Sequence, residues 1–198
     1  MARPQSPDYD QRRDAIIATA AELYGRQGFQ GASVADLAKA CRTSKSLVYH
    51  YFPSKEDILY EVMAAHLELL VAAVEEVAAR PQLGPEERLR ALALSFMRLF
   101  AGAASSHKVL LNELDNLPSE RRSDVVAKQR RIIAFVGEQV QAIRPDLADI
   151  ERPLTMLFFG TINWTHTWFR PGGNVSAEQL GELAVTLMLK GLKGVQAS

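Results

Sequence analysis

Apolar residues recur three and four apart along almost the whole chain, the spacing of one face of a helix rather than the alternation of a strand. The longer segments are rich in Ala, Leu, Glu and Arg, all strong helix formers, so the pattern predicts an all-α protein. A first helix over about residues 10–27 turns Ile16, Ile17, Ala20, Leu23 and Tyr24 to one side. Gly28 follows its last turn, where a left-handed cap is wanted. Ser33, with Asp36 three residues on, opens a short helix over about 33–40 in the manner of a capping box. A second short helix runs from Thr43 or Ser44 to about His50 and stops before Pro53. Ser54, Lys55, Glu56 and Asp57 then start a long helix that reaches about Ala79.

The clearest linker follows, Arg80-Pro81-Gln82-Leu83-Gly84-Pro85. Beyond it the pattern predicts helices near 86–104, 107–116, 118–143, 149–169 and 176–194, about nine in all. Pro118 and Ser119 open one of these and Pro145 follows its end, while Pro171-Gly172-Gly173-Asn174 makes a turn ahead of Ser176. The first nine residues and the last few are expected to fray. The break at Pro53 divides the chain into a small unit, 1–53, and a larger helical one, 54–198.

Composition narrows the class. The 198 residues are 47% hydrophobic and 23% charged, a globular balance, and 23 Lys and Arg offset 23 Asp and Glu. A polyanionic partner therefore has to be met by a local patch. The single cysteine, Cys41, excludes an internal disulfide framework and a thiolate zinc site, and His50, His66, His107 and His166 have no metal-ligand spacing. No metal or cofactor is expected. The N-terminus lacks an apolar signal core and no run of about 18 apolar residues is present, so the expectation is a cytoplasmic protein without a membrane span.

The segment SVADLAKACRTSKSLVYHYFPSKEDIL carries the chemistry. Its two short helices, joined by about three residues, have helix-turn-helix spacing. At about 100° per residue, Lys45, Ser46, Tyr49 and His50 fall on one side of the second helix, and Leu47, Val48 and Tyr51 on the other. The apolar set can pack on Val34, Leu37 and Ala38, which leaves the polar set to enter a groove. From Lys39 to Lys55 there are four cations, Lys39, Arg42, Lys45 and Lys55, one histidine and no carboxylate. Arg42, Thr43, Ser44, Tyr49 and Lys55, with backbone N–H groups near Ser44 and Ser54, are candidates for phosphates. Lys45 and Ser46 are placed for base edges, and the Tyr49 ring for a thymine methyl. The plain alternative is an ordinary solvated helical turn.

At these residues the sequence resembles the TetR/AcrR family of transcriptional regulators. Ser44, Lys45, Tyr49, Tyr51, Phe52, Ser54, Lys55 and Glu56 match its recognition segment, and the preceding TAAELYGRQGFQGASVADLAKA is similar to its first two helices. Two positions depart from the family pattern. Arg42 stands where a glycine is frequent, so either the turn shifts or Arg42 takes a positive φ and gains a phosphate contact. Ser46 replaces another frequent glycine and leaves a hydroxyl for DNA. The resemblance implies a homodimer on a palindromic operator, its last two helices forming a four-helix bundle with their partners.

The sequence offers a face for such a bundle. Leu180, Leu183, Leu187 and Gly191 make one stripe of the last helix; Leu157, Gly160, Trp164 and Trp168 make another on the helix before it. Periodicity does not separate a dimer seam from an internal core. A different stripe holds Phe159, Asn163, His166 and Arg170. These residues either satisfy local groups or orient a ligand in an apolar cavity with Phe96, Met97, Phe100, Leu110 and Leu114, and with Asn112 and His107 from neighbouring helices.

Around Asn163, Trp164, Trp168 and the Pro171 turn, the chain is also similar to family members that respond to acyl-CoA thioesters, and LNELDNLPSERR is similar to phenylacetyl-CoA-responsive ones. A CoA would need cations for its phosphates. Arg121, Arg122, Lys128, Arg130 and Arg131 lie on one predicted helix, either for that purpose or as a solvated face. Three function classes result: a repressor released by a small effector, with an acyl- or aryl-CoA thioester foremost; a DNA-binding regulator with another ligand or a protein partner; and, remotely, a helical enzyme. The enzyme reading has no Gly-x-Ser-x-Gly elbow and no dinucleotide fingerprint, since Gly25, Gly28 and Gly31 are three apart.

Overall fold

The computed structural model describes residues 7–196, and every regular element within them is helical. The elements are α1 (Pro7–Gln27), α2 (Val34–Ala40), α3 (Lys45–Tyr51), α4 (Lys55–Ala78), α5 (Pro85–Gly102), α6 (Ala104–Asn112), α7 (Ser119–Ile143), α8 (Glu151–Asn163), α9 (Thr165–Trp168) and α10 (Ala177–Gly194). Trp164 interrupts α8, and α9 is a single turn that continues it; with the two taken together, nine helices are found among the described residues. Some boundaries differ from the sequence reading. α1 begins at Pro7, so residues 7–9 are helical rather than frayed, while residues 1–6 and 197–198 lie outside the described residues. α6 starts earlier than expected and ends at Asn112, because Glu113 leaves helical geometry (φ −115°, ψ 9°), and Leu114–Asn116 forms a separate 3₁₀ turn. Pro145–Ile150 is likewise 3₁₀, and α8 begins only after it.

Two compact units are present. The first comprises residues up to 66 together with Ser105–Val125, so the 53/54 boundary read from the sequence falls inside it. Its core is built on Ile16, Ala20 and Tyr24 of α1, Leu37 of α2, Val48 of α3, Phe52, and Ile58 and Leu59 of α4, all buried. The punctuation follows the chemistry of the residues. Gly28 ends α1 at φ 75°, and Ser33 caps α2, its hydroxyl oxygen accepting from the Asp36 N–H at 3.1 Å while Asp36 accepts from the Ser33 N–H at 3.0 Å. The Ser33 hydroxyl also donates to the Asp36 carboxylate at 2.5 Å, and that bond first, then the one from the Ser33 N–H, with Lys39 and Lys45 adding to them, holds the Asp36 carboxyl below its usual range. Gly25 brings α1 close to α6: a Cβ there would stand 3.3 Å from the Ser105 Cβ.

Between α4 and α6, His66 Nε2 and His107 Nδ1 share a hydrogen bond of 3.2 Å, with each histidine only 2% exposed. Burial pushes the His66 pKa down from 6.5 to about 4. Above pH 6.5 His66 is neutral folded or unfolded, whereas between 6.5 and about 4 only the unfolded chain takes up the proton. Stability is therefore expected to fall as pH drops through that window, by roughly 3 kcal/mol in total from this group. Urea unfolding at a series of pH values checks the slope, which should flatten in His66→Phe.

The second unit comprises Leu67–Ala104 and the chain from Val126 onward. Here α10 lies against α5 and α8. Its core joins Leu89, Leu92, Ala93 and Phe96 of α5 to Phe158 and Ile162 of α8 and to Val185, Leu189 and Leu192 of α10. Arg144 fixes the end of α10. Its guanidinium donates to the carbonyls of Leu192 and Val195, the latter at 3.0 Å, and pairs with Asp146 through two nitrogens. Gly181 sets how closely α10 approaches α5, since a Cβ on it would stand 3.1 Å from the Ala93 carbonyl oxygen and 3.2 Å from the Leu94 Cα. Those are backbone atoms that cannot swing away. Gly181→Val is expected to cost about 1–3 kcal/mol, measured by thermal unfolding.

Candidate nucleic-acid interface

The reading end is set by the turn between α2 and α3. Cys41 closes α2, Arg42 adopts φ 53°, the Arg42 N–H donates to the Lys39 carbonyl at 3.1 Å and the Thr43 N–H to the Ala38 carbonyl at 2.9 Å. This is a full Schellman motif, with an arginine at the left-handed position that glycine usually fills. Of the two alternatives open from the sequence, Arg42 takes the strained conformation. Ser44 then caps α3, its Oγ accepting from the Leu47 N–H at 3.1 Å.

On α3 the polar and apolar sets separate as the helical wheel requires. Val48 is fully buried, Leu47 and Tyr51 are half-buried, and Lys45, Ser46, Tyr49 and His50 are exposed. Arg42 is exposed beside them and Thr43 is half-buried. Lys55 departs from the expected phosphate set. Its ammonium turns inward, donates to the Phe29 carbonyl and lies 4.0 Å from the centre of the Phe29 ring, tying the start of α4 to the loop after α1. The sequence does not show that α1 meets α3: the Tyr9 ring lies 4.5 Å from that of Tyr51 and 6.3 Å from that of His50. Periodicity shows that α1 has such a face without showing which helix it meets.

The residues expected to surround a ligand separate. Phe96, Phe100 and Phe159 are buried and lie against one another, ring centres 6.1 and 6.3 Å apart, as core aromatics of the second unit. His166 Nδ1 donates to the Asn163 carbonyl at 2.7 Å, a local bond that stabilises the end of α8, and both side chains are half-buried. Arg170 does not continue that stripe, because α9 ends at Trp168 and Arg170 is exposed in the following turn. Asn112 is also exposed, at the last residue of α6, where it lines a recess of about 200 Å³ with Tyr24, Gly28, Lys108 and Glu113. The basic residues of α7 are largely paired: Arg121 with Asp57 at 3.1 Å, Arg122 with Asp115 at 2.8 Å, Lys128 with Glu68 at 3.8 Å and Arg131 with Glu75 at 2.6 Å, while Arg130 is exposed. Exposed pairs of this kind contribute little to stability, and they describe a solvated face.

The second unit also carries an outward apolar surface. Leu157, Trp164, Trp168, Leu183 and Leu187 are between 54% and 68% exposed, whereas Leu154, Phe158, Val185 and Leu189 on the same helices are buried. Leu180 is half-buried. Gly160 and Gly191 are exposed, and nothing lies within 4 Å of a Cβ built on either. A groove of about 300 Å³ runs between α8 and α10 past Leu157, Leu187 and Gly191. Leucines and tryptophans concentrated on one surface mark a site of association.

A helix-turn-helix with an exposed polar reading face, in a wholly helical chain, defines a class of DNA-binding regulator, and the comparisons agree. The family model "Bacterial regulatory proteins, tetR family" matches residues 16–62, and the model "Tetracyclin repressor-like, C-terminal domain" matches residues 82–192. The chain belongs to the TetR family of bacterial transcriptional regulators. It is thus a DNA-binding regulator and not an enzyme, with a fold of the homodimer type. It is similar over 94% of its length to the crystal structure of a TetR-family regulator from Bordetella parapertussis 12822, with 38% identity, 98% of that chain covered and a TM-score of 0.87. It is 28% identical to the transcriptional repressor KstR2 of Mycobacterium tuberculosis H37Rv over 192 residues, 91% of this chain and 92% of that one. It is also similar to AibR, solved in complex with isovaleryl coenzyme A and operator DNA, with 27% identity, 89% of this chain and 97% of that one covered and a TM-score of 0.78. Among the described residues no helix is long and apolar enough to cross a membrane.

The strain at Arg42 has a measurable consequence. Arg42→Gly should raise the folding stability by up to about 1 kcal/mol, the relief of the left-handed arginine exceeding the added freedom of the unfolded chain. The same variant should bind DNA more weakly. Denaturant unfolding and a DNA titration on one preparation read both signs.

Proposed function

We propose that the protein is a cytoplasmic repressor, a homodimer that is released from a palindromic operator by a small hydrophobic effector of the acyl- or aryl-CoA thioester class. The observation that carries the DNA part is the exposed set Lys45, Ser46, Tyr49 and His50 opposite a buried Val48. Lys45 and Ser46 read base edges, and Arg42, Thr43 and Ser44 meet the phosphates. The smaller N-terminal part, residues 1–53, does the reading, and residues 54–198 receive the effector and the second copy.

The outward surface of Leu157, Gly160, Trp164, Trp168, Leu180, Leu183, Leu187 and Gly191 supports pairing with a second copy, and a two-fold dimer suits an operator of two half-sites about one helical turn apart. The effector class is supported by similarity to AibR, whose structure holds isovaleryl coenzyme A with operator DNA, and the repressing sense by similarity to the repressor KstR2. The pairs that α7 makes are exposed and weak, so its cations remain able to meet CoA phosphates, while apolar contacts would hold the acyl group. Release requires that the thioester prefer the conformation that does not fit DNA; equal affinity for both would shift nothing. α4, which supplies residues to both units, is the element through which such a preference reaches the reading heads.

Fluorescence anisotropy on DNA from the protein's own upstream region, at fixed salt, tests the reading with a panel of CoA thioesters and their free acids. Release is expected from a thioester and not from its acid, and Lys45→Ala should weaken binding by about 1–3 kcal/mol. Tight binding indifferent to the whole panel would replace the thioester with another ligand or a protein partner.

A further inference from the structure

A recess of about 550 Å³ lies beside the turn between α2 and α3, with Arg12, Ala15 and Thr19 of α1 on one wall and Arg42, Thr43 and Leu47 on the other. Its α1 wall is one helical face, since these three residues are spaced three and four apart. Tyr9 extends that face by three residues and reaches Tyr51 and His50 at the far end of α3. α1 therefore runs along α3, and the recess lies at the end of α3 where the turn enters it. Two exposed guanidinium groups line the same recess, and among the described residues no carboxylate does.

We propose that this recess seats a phosphodiester of the DNA backbone, held between Arg12 and Arg42 with the Thr43 hydroxyl donating, which adds Arg12 of α1 to the DNA-binding surface. The inference rests on the DNA-binding reading above and deepens it. Two like charges gathered on one recess are stabilised by an anion between them, and the planar fork of a guanidinium matches a pair of phosphate oxygens. The apolar wall of Ala15 and Leu47 suits the deoxyribose that flanks a phosphate. The strained φ of 53° at Arg42 points the same way, because a cation is present at a position where glycine would carry no strain. A contact of this kind sets where the reading helix sits on the duplex and does not itself read bases.

The test uses the full-length protein, a labelled duplex from its own upstream region and a second duplex of random sequence, each titrated over a range of NaCl concentrations. Arg12→Ala is expected to weaken binding to both duplexes by a similar factor and to lower the slope of log K against log salt by about 0.9 for each subunit bound. Arg12→Lys should keep most of the slope. Arg12 is exposed, so the variant should melt as the wild type does. An unchanged slope in correctly folded Arg12→Ala would overturn the proposal, as would a loss confined to the upstream duplex, which would mark a base contact. If the wild type bound neither duplex, the DNA-binding reading beneath the proposal would fall with it.

Discussion

Burial of one side of α3 is the constraint on which the reading end depends. A seven-residue helix is too short to hold its shape alone in water. It persists because Val48 is fully buried, Leu47 and Tyr51 are half-buried, and Ser44 caps its first turn. Once that side is committed to the core, Lys45, Ser46, Tyr49 and His50 have nowhere to point except outward. The Schellman turn completes the geometry. It fixes the direction in which α3 leaves α2, and it does so through an arginine in a conformation costly to any side chain with a Cβ. Stability is given up locally at a residue that faces the same solvent as the reading helix.

The second unit solves a different problem with the same material. α10 is apolar on two sides: Val185, Leu189 and Leu192 close the core against α5 and α8, while Leu183 and Leu187 remain outside. The backbone approach at Gly181 seals the inner side. The outer side keeps Leu183, Leu187 and Gly191 in solvent where a surface helix would ordinarily carry charge. Arg144 anchors the end of α10 through its carbonyl bonds, so this outer face is presented on a fixed helix.

Much of the reading end is legible in the amino-acid sequence, because its signals are local. A capping box, a helix-turn-helix spacing and a wheel of polar and apolar residues each involve neighbours within a few positions, and the 3.6-residue period converts them directly into faces. The effector region is not legible in the same way. Phe96, Phe100 and Phe159 look alike as core or as cavity lining, and only their burial and the contacts of the Phe96 ring with the other two show them filling the second unit. Helical spacing draws Arg170 into a ligand set and a neighbouring helix adds Asn112, yet each falls where its helix has ended or is ending, and each is exposed. Charge alone assigns Lys55 to the phosphates, and charge does not reveal that the Phe29 carbonyl and ring lie within its reach.

Local signals along the chain suffice for its all-α class, for where most of its helices start and stop, for which side of α3 faces outward, and for the family to which it belongs. Those properties follow from periodicity and from caps that act over a single turn. Only the packing settles which of two similar apolar stripes is core and which is surface on α8 and α10, which cations are paired, and that α1 meets α3, with Arg12 and Arg42 lining one recess. Such facts depend on which distant segments meet, and a hydrophobic stripe carries no label for the partner that will cover it.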